Sequence, residues 1–510
     1  MRYESKAYNM NSDRYKALTR RIPARCLLET ACPVCMCRRN EKKALRTNRG
    51  FLQFARLESA PVIWRRKQMR HEKFHYASVA ELRAALDALG VSLPLARSAA
   101  ALARPLTVHG RTLANRIVVQ PMEGADANAD GTPGELTFRR YTRFAQSGAA
   151  LIWAEAAAVS ESGRSSPRQL ILNEQTLPAF QRLVQQMREA AREAGSPDPV
   201  LILQITHSGR YAKPDGKPAP VIMWHKPLFE AKAPIDDRRI ISDDELLRLA
   251  PAFGGMAALA QRAGFDGVDL KCCHGYLLNE SLSAFERPGP YGGSLDNRTR
   301  LLLSSMGACR AETSSDFIVT ARLGVYDGFP YPHGFGADEA CIPVLDDALA
   351  IAKTMHDRFD VRLLNVTAGN PYVNPHVNRP YDMGNYLPDE HPLAGVGRIT
   401  GFAAAMQKAL PDTAIVASGL SYLRQYAPLA AAGLIEAGQS ALVGFGRLAF
   451  ADADFARHML QSSELDAKKV CVTCGQCARL LRAGIPTGCV VRDRDVYRRV
   501  EEIAEKAVRA

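Results

Sequence analysis

Three side chains that can take part in acid–base chemistry, Lys271, His274 and Tyr276, lie within one stretch, GVDLKCCHGYLL. The stretch opens at Gly267 with a short apolar run that predicts a buried strand, and the polar residues follow at the strand's end. An ammonium and an imidazole can stabilise a developing oxyanion, and a phenol can donate a proton. The stretch is therefore a core strand running into a loop, a metal site, or the working end of an enzyme.

Each of these residues has a simpler interpretation. A lone His274 would be a core histidine bonded to backbone, and Lys271 would extend from the strand end toward solvent. A Schiff-base lysine, as in aldolase-type barrels, is a sharper alternative for Lys271. Cys272 and Cys273 are poor metal ligands because adjacent strand side chains point to opposite faces, so we interpret them as small packing residues.

A second group of reactive residues, four cysteines, lies near the end of the sequence. Two residues separate each of the first three and eleven precede the last, in the order Cys471, Cys474, Cys477 and Cys489. Three thiols in a tight loop with a fourth at a distance match the way iron–sulfur clusters are bound. A tetrahedral zinc site and free buried cysteines are the alternatives.

The elements that would position these residues follow a repeating pattern. Eight short apolar runs alternate with longer amphipathic segments such as Leu177–Ala194, Asp243–Arg262, Asp346–Arg358 and Ile399–Leu410. The runs are Ile117–Met122, Ala150–Val159, Val200–Thr206, Gly267–Lys271, Phe317–Leu323, Leu363–Thr367, Ala414–Ser418 and Ala441–Phe445. This order predicts an α/β fold, a (β/α)8 TIM barrel. A doubly wound sheet is the alternative, but no Gly-x-Gly-x-x-Gly follows any run.

A barrel places its functional groups just past the carboxyl ends of the strands, and polar residues occur there after successive runs. Gln204 offers an amide donor and acceptor suited to the edge of a heterocycle. Arg322 is a fixed cation that needs an anionic or electron-rich partner. Gly419 and Gly446 would let backbone N–H groups approach a phosphate, to which Arg447 would add charge.

Several motifs, in order, resemble the Old Yellow Enzyme class of FMN-dependent NADH:flavin oxidoreductases, in particular its 2,4-dienoyl-CoA reductase-like branch. They are LTVHGRTLANRIVVQPM, AEAAAVSESGR, LQITHSGR, AGFDGVDLKCCHGYLLNESLSA, YGGSLDNRTR and ALVGFGRLAFAD, and they span about Pro105 to Asp452. The resemblance implies noncovalent FMN. It places Pro121, Met122 and Glu123 along the flavin, Ala156 close by, Gln204 at the pyrimidine edge, Arg322 near N1, and Gly446 with Arg447 at the phosphate.

The same resemblance implies a role for the opening stretch. Lys271 and His274 would hydrogen-bond the carbonyl oxygen of an activated alkene, which receives hydride from flavin N5, and Tyr276 would supply the proton. The family usually has histidine where this chain has Lys271, which hints at carboxylate-bearing substrates. The expected reaction is reduction of a conjugated C=C bond with electrons from NAD(P)H or a redox partner; dehydrogenation or demethylation of an amine is the alternative.

Relatives in the dienoyl-CoA reductase-like branch carry a [4Fe–4S] cluster at the position of the C-terminal cysteines. Their usual spacing has three residues between the second and third cysteine, whereas Cys474 and Cys477 are separated by two. These relatives continue into FAD- and nucleotide-binding domains. Because the sequence stops at Ala510, we expect no such domain here, and an electron-donor protein if a cluster is present.

The formal charge of +13 has an uneven distribution. Residues 1–70 contain 18 Lys and Arg against 5 Asp and Glu, so the rest is balanced at 48 of each. This balance argues against nucleic-acid binding by the main body. A zinc site in the early quartet Cys26, Cys32, Cys35 and Cys37 is disfavoured by its bunched spacing.

The sequence divides into four expected parts. Residues 1–68 form a basic extension expected to be disordered, 69–104 a helical lead-in, 105–465 the FMN-binding barrel, and 466–510 a cysteine-cluster extension. No run of eighteen apolar residues occurs, so we expect no membrane span and a cytoplasmic enzyme. An oligomer is compatible with the sequence.

Overall fold

A computed structural model of the chain describes residues 70–384 and 386–509. The basic extension predicted for residues 1–68, its disorder and its cysteine quartet lie outside the described residues. The following elements position the candidate site and are numbered in chain order.

The strands are β1 Leu106–Val108, β2 Arg111–Leu113, β3 Ile117–Val119, β4 Leu151–Ala158, β5 Val200–Thr206, β6 Gly267–Cys272, β7 Ile318–Gly324, β8 Leu363–Thr367, β9 Ala414–Ala417 and β10 Leu442–Phe445. The α-helices are α1 Val79–Ala88, α2 Glu135–Gln146, α3 Leu177–Glu193, α4 Pro227–Glu230, α5 Asp243–Ala263, α6 Leu277–Leu282, α7 Leu295–Ala311, α8 Asp346–Phe359, α9 Pro375–Asn378, α10 Pro392–Ala409, α11 Ala427–Glu436, α12 Arg447–Ala451, α13 Phe455–Gln461, α14 Gln476–Arg482 and α15 Arg494–Arg509. Short 3-10 helices span Ala100–Ala103, Glu161–Gly163, Gly209–Tyr211, Asp237–Arg239 and Leu420–Tyr426.

Strands β3 to β10 form a closed barrel in which neighbours in sequence pair in parallel and β10 pairs with β3. Each predicted apolar run overlaps one of these strands, with ends that differ by up to three residues, so the (β/α)8 prediction is confirmed and the doubly wound alternative is wrong. Most of the strand residues are buried, because the barrel interior covers one face and the surrounding helices cover the other. The carboxyl ends of all eight strands therefore open at one mouth.

The opposite end of the barrel is closed by the antiparallel hairpin of β1 and β2. Val108 and Leu113 of this hairpin belong to one buried apolar cluster with Val118, Trp153 and Val416 from the barrel strands. The hairpin therefore covers the end of the barrel that lies opposite the carboxyl-end mouth.

Local sequence explains where the longest helices begin and end. Helix α5 begins with a capping box in which the Ser242 hydroxyl accepts from the Glu245 N–H, and it ends at Gly264 in the left-handed region. Helix α10 begins at Pro392, seven residues before the predicted start at Ile399. A proline is favoured in the first turn of a helix, whereas the glycines of PLAGVG obscure the helical pattern.

The C-terminal extension packs against the barrel rather than standing apart from it. The Thr487 N–H donates to the Gly124 carbonyl at 2.7 Å, and the Arg139 guanidinium forms a two-point ion pair with Asp493 at 2.7 and 2.9 Å. Arg482 donates to the Pro371 carbonyl at 2.6 Å. The extension therefore contacts two loops of the carboxyl-end mouth. Among the described residues, no helix is both long and apolar enough to cross a membrane.

Candidate active site

Side chains from neighbouring strand ends meet inside the carboxyl-end mouth. Lys271, Arg322 and Asn365 are register partners on β6, β7 and β8. The Asn365 amide donates to Gln120 at 2.8 Å across the barrel, and the Gln120 amide returns a longer bond of 3.3 Å. Parallel pairing thus brings polar residues that are up to 245 positions apart in sequence into a single layer.

The predicted catalytic residues Lys271 and Tyr276 share one acceptor, the Glu123 carboxylate. Lys271 Nζ lies 2.6 Å from Glu123 Oε1, and the Tyr276 hydroxyl donates to the same oxygen at 3.1 Å. The Lys271 ammonium also lies 3.7 Å from the centre of the Tyr276 ring. Sequence reasoning placed Glu123 beside the flavin and missed this pairing. The ion pair with Glu123 compensates the positive charge of Lys271 within the site.

A second tyrosine continues this arrangement and was also missed. The hydroxyls of Tyr276 and Tyr372 lie 2.9 Å apart, and the Tyr372 ring stacks on Tyr211 with centroids 3.8 Å apart. Burial and the nearby Glu123 charge raise the pKa of Tyr276 well above its usual value. Tyr372 follows β8, so the rule that functional groups follow barrel strands would have found it.

His274 is oriented by an asparagine that lies 104 positions further along the chain. The Asn378 amide donates to His274 Nε2 at 2.8 Å, which assigns the ring proton to Nδ1. Burial and the charges of Arg322 and Lys271 hold the pKa of His274 well below its usual value. His274 has a φ of 67°, in the left-handed region that few non-glycine residues adopt. The neutral ring can therefore donate one hydrogen bond, through Nδ1.

Gln204 and Arg322 lie in the barrel as predicted for the edge of a heterocycle. The Gln204 amide donates to Asp269 at 2.7 Å, and Arg322 Nε is buried without a hydrogen-bond partner among the described residues. Burial raises the pKa of Asp269 to about 6, although hydrogen bonding from Gln204 and the Arg322 charge oppose the shift. An unpaired buried guanidinium N–H and an amide, both acting on Asp269, form a donor set that fits the N1–C2 edge of a flavin.

The predicted phosphate residues are brought together by the last two strands. Gly419 has a φ of 93°, and an added Cβ would lie 2.5 Å from Ile399 on α10. At Gly446 an added Cβ would lie 2.7 Å from the sulfur of Met122, so this glycine allows Met122 to approach β10. The buried Arg447 donates to the Pro380 carbonyl at 2.9 Å. Gly419 therefore needs the backbone freedom of glycine, whereas a side chain at Gly446 would require Met122 to move. Arg447 places a buried positive charge after β10.

A buried network positions the loop that carries Pro121, Met122 and Glu123. The Arg140 guanidinium pairs with both Asp126 and Glu155, and Glu155 accepts from the Gly124 N–H at 2.7 Å. Burial raises the pKa of Glu155 to about 7, against the opposing charge of Arg140. Further along β4, the carbonyl of the buried Ala156 accepts from Gln169 at 3.1 Å. The sequence alone did not reveal this network, because its members are dispersed polar residues.

The four C-terminal cysteines are free thiols that lie near one another. Backbone N–H groups of Thr473 and Arg492 donate to the sulfurs of Cys471 and Cys489, each at 3.4 Å. Burial raises the pKa of Cys471 to about 12, and neighbouring thiols and Arg447 also act on it. Within the described part of the chain, however, no group of three or more Cys, His, Asp or Glu residues is arranged to hold a metal ion. As placed, the thiols do not form a metal centre.

The class of protein defined by this barrel and its mouth agrees with the family match. Residues 101–466 match the NADH:flavin oxidoreductase / NADH oxidase family. The match covers more than half of the chain. The chain therefore belongs to this family.

Individual relatives give a finer comparison. The chain is 35% identical over 212 residues to an NADPH dehydrogenase of Bacillus pumilus, covering 40% of this chain and 58% of that protein. It is 27% identical over 399 residues to a probable N-methylproline demethylase of Rhizobium meliloti, covering 76% of this chain and 53% of the relative. The chain thus spans little more than half the length of these two relatives.

A solved structure supports the fold. A 2-naphthoyl-CoA reductase complex superimposes with a TM-score of 0.63 at 20% identity, over 78% of this chain and 57% of that one. At this identity the likeness concerns the barrel architecture alone.

Proposed function

We propose that the protein reduces a carbonyl- or carboxylate-conjugated C=C bond in an FMN-dependent reaction, as in the dienoyl-CoA reductase-like branch. The observation that supports this most directly is the convergence of Lys271, His274 and Tyr276 at one mouth. Lys271 and His274 can donate hydrogen bonds to a substrate oxygen, and Tyr276 is a buried phenol that can donate a proton. Bound FMN would supply the hydride. The remaining chemistry, polarisation of the alkene and protonation, falls to side chains of this chain.

The proposed roles follow from the hydrogen-bonding capacity of each group. His274 Nδ1–H and one free N–H of Lys271 would donate to the substrate oxygen and stabilise the charge that develops there. The Tyr276 hydroxyl would give its proton to the carbon that does not receive hydride. Glu123 would hold Lys271 and Tyr276 in place. Because Glu123 compensates the Lys271 charge, a preference for anionic substrates does not follow from Lys271 alone.

Gln204, Arg322, Gly419, Gly446 and Arg447 would hold the cofactor. Arg322 has a buried Nε with no hydrogen-bond partner among the described residues, which suits an edge that becomes anionic on reduction. NAD(P)H is the proposed electron source, in keeping with the names of the NADPH dehydrogenase relatives. Purified protein should be yellow, and anaerobic addition of NADH or NADPH should bleach it. Rapid bleaching by either nucleotide would count against an obligate electron-donor protein.

Amine oxidation is the second candidate, and one observation favours it. The probable N-methylproline demethylase aligns over 76% of this chain, whereas the NADPH dehydrogenase of Bacillus pumilus aligns over 40%. An amine substrate would transfer hydride to FMN, the reverse of the direction proposed above. Reduction of the enzyme-bound flavin by N-methylated amino acids, with no turnover of alkenes, would establish this candidate instead.

A panel of enones, enoates and enoyl thioesters, assayed with the holoenzyme, tests the proposed reaction. Tyr276→Phe should lower the rate of alkene reduction by about 10²-fold or more, because the proton donor is removed. Tyr331→Phe is the matched control, since Tyr331 is an exposed tyrosine outside the site. Equal activity of Tyr276→Phe and the unaltered enzyme would contradict the assignment.

The [4Fe–4S] cluster is retained as a proposal on the chemistry of the four thiols and the N–H groups that donate to two of them. No step of the reaction above depends on it. Iron and acid-labile sulfide should be quantified in protein purified without oxygen. Zinc in place of iron, or neither element, would reject the cluster and leave the FMN assignment unaffected.

A further inference from the structure

Tyr276 is buried, but Tyr372, whose hydroxyl contacts that of Tyr276, is not. Tyr276 is 2% exposed and Tyr372 is 36% exposed, and their hydroxyl oxygens lie 2.9 Å apart. Among the described residues, the Tyr276 hydroxyl has two hydrogen-bond partners, Glu123 and Tyr372. Glu123 and Tyr372 are therefore the candidate routes by which a proton reaches Tyr276.

Glu123 is poorly suited to deliver that proton. Its Oε1 already accepts from Lys271 at 2.6 Å and from Tyr276 at 3.1 Å, and its Oε2 accepts from Ser165 at 3.1 Å. In all three contacts a Glu123 oxygen is the acceptor, so Glu123 presents no proton to the Tyr276 hydroxyl. Lys271 is no better placed, because it lies over the face of the Tyr276 ring. These contacts leave Tyr372 as the route.

We propose that Tyr372 is a proton-relay residue that returns a proton from solvent to Tyr276 after each turnover. This inference rests on the proposed role of Tyr276 as the proton donor. When the Tyr276 O–H bond breaks and a substrate C–H bond forms, Tyr276 becomes a phenolate. The Tyr372 hydroxyl then transfers its proton across the 2.9 Å contact and becomes a phenolate. A hydronium ion or a buffer acid in solvent reprotonates it and leaves as water or as the buffer base, which supplies the one proton consumed in each reduction.

The surroundings of Tyr372 hold its hydroxyl at this distance. Its ring stacks on Tyr211 with an interplanar angle of 11°. The Tyr211 hydroxyl accepts from the Asn370 amide at 2.7 Å, and the Asn370 side-chain oxygen accepts from the Tyr372 N–H at 3.0 Å. Arg482 of the C-terminal extension donates to the Pro371 carbonyl, one residue before Tyr372. Both the ring and the backbone of Tyr372 are therefore fixed.

The first experiment needs no substrate. Tyrosine labelled with 13C at Cζ reports hydroxyl exchange with solvent in mixed H2O and D2O, and Tyr276→Phe assigns the Tyr276 resonance. In Tyr372→Phe, which keeps the stacked ring, exchange of the Tyr276 hydroxyl should slow on the order of tenfold or more. Tyr331→Phe should leave it unchanged. An unchanged exchange rate in Tyr372→Phe would overturn the relay, whether or not the enzyme reduces alkenes.

The second experiment separates a relay from a structural role. In Tyr372→Phe, the reduced enzyme should complete its first turnover at the normal rate, because Tyr276 already holds a proton. Later turnovers should slow and give a burst of one product per site, and added imidazole buffer should restore them. A slowed first turnover would indicate a structural role and refute the relay. If the unaltered enzyme reduces no alkene, the proposed function is refuted instead. The exchange experiment would still test the relay in that case.

Discussion

The ion pair between Glu123 and Lys271 provides the most decisive test of the site's geometry. The two side chains are 12% and 6% exposed, and their charged atoms lie 2.6 Å apart. At an effective dielectric constant near 20, a pair at this distance has a gross attraction of about 6 kcal/mol, part of which offsets the desolvation of both groups. Removing one partner leaves a buried charge uncompensated, which costs about 3–5 kcal/mol.

A double-mutant cycle with Glu123→Gln and Lys271→Met measures the coupling between the two side chains. Each single substitution should lower the free energy of unfolding by about 3 kcal/mol, and the double variant should lose less than the sum. We expect a coupling energy of about 2–3 kcal/mol. Urea denaturation at low ionic strength, with flavin content recorded for each variant, provides the assay.

The chain offers a matched control for this cycle. Lys353 and Asp357 form an exposed ion pair on α8 at 2.8 Å, with side chains 70% and 47% exposed. Their coupling should be no more than about 0.5 kcal/mol, because water and salt screen exposed charges. Additive effects of the Glu123 and Lys271 substitutions, equal to those of the control pair, would refute the buried ion pair and the placement of Glu123 in the site.

Three further predictions address the supporting parts of the barrel mouth. Since Asp269 in the folded protein holds its proton to about pH 6, the folded state binds more protons than the unfolded chain between about pH 4 and 6. Its contribution to the free energy of unfolding should therefore fall as pH rises through that window, and denaturation of Asp269→Asn across pH should show a smaller fall. Gly124→Ala should lower the free energy of unfolding by about 3 kcal/mol in thermal or urea melts, because the new Cβ would overlap the Arg140 guanidinium; unchanged stability would contradict this packing. Arg322→Met should weaken FMN binding by about 2 kcal/mol, roughly 30-fold, in a fluorescence titration of the apoprotein, through loss of a charge-assisted hydrogen bond; equal affinity would place Arg322 away from the cofactor.

Much of the fold could be predicted from the sequence because barrel strands have a strong local pattern. A buried parallel strand is a short run of Val, Ile and Leu, and eight such runs identified the barrel with small errors at their ends. The β5 and β8 strands match the predicted runs Val200–Thr206 and Leu363–Thr367 residue for residue. The parallel connection also placed the polar residues that follow each strand at a common mouth. Among the helices quoted from the sequence, the start of α10 was predicted seven residues too late, because the glycines in PLAGVG obscure its helical pattern.

The sequence by itself determined which groups reach the mouth, since a residue's position at a strand end is a local property. It did not determine which of them touch. The pairing of Glu123 with Lys271, the contact of Tyr276 with Tyr372 and the orientation of His274 by Asn378 join residues 148, 96 and 104 positions apart. Such contacts depend on loop paths and on the register of the closed barrel, and neither leaves a periodic pattern in the sequence. The tertiary structure therefore decided that Lys271 is half of an ion pair and that the hydroxyl of the buried Tyr276 contacts that of a more exposed tyrosine, Tyr372.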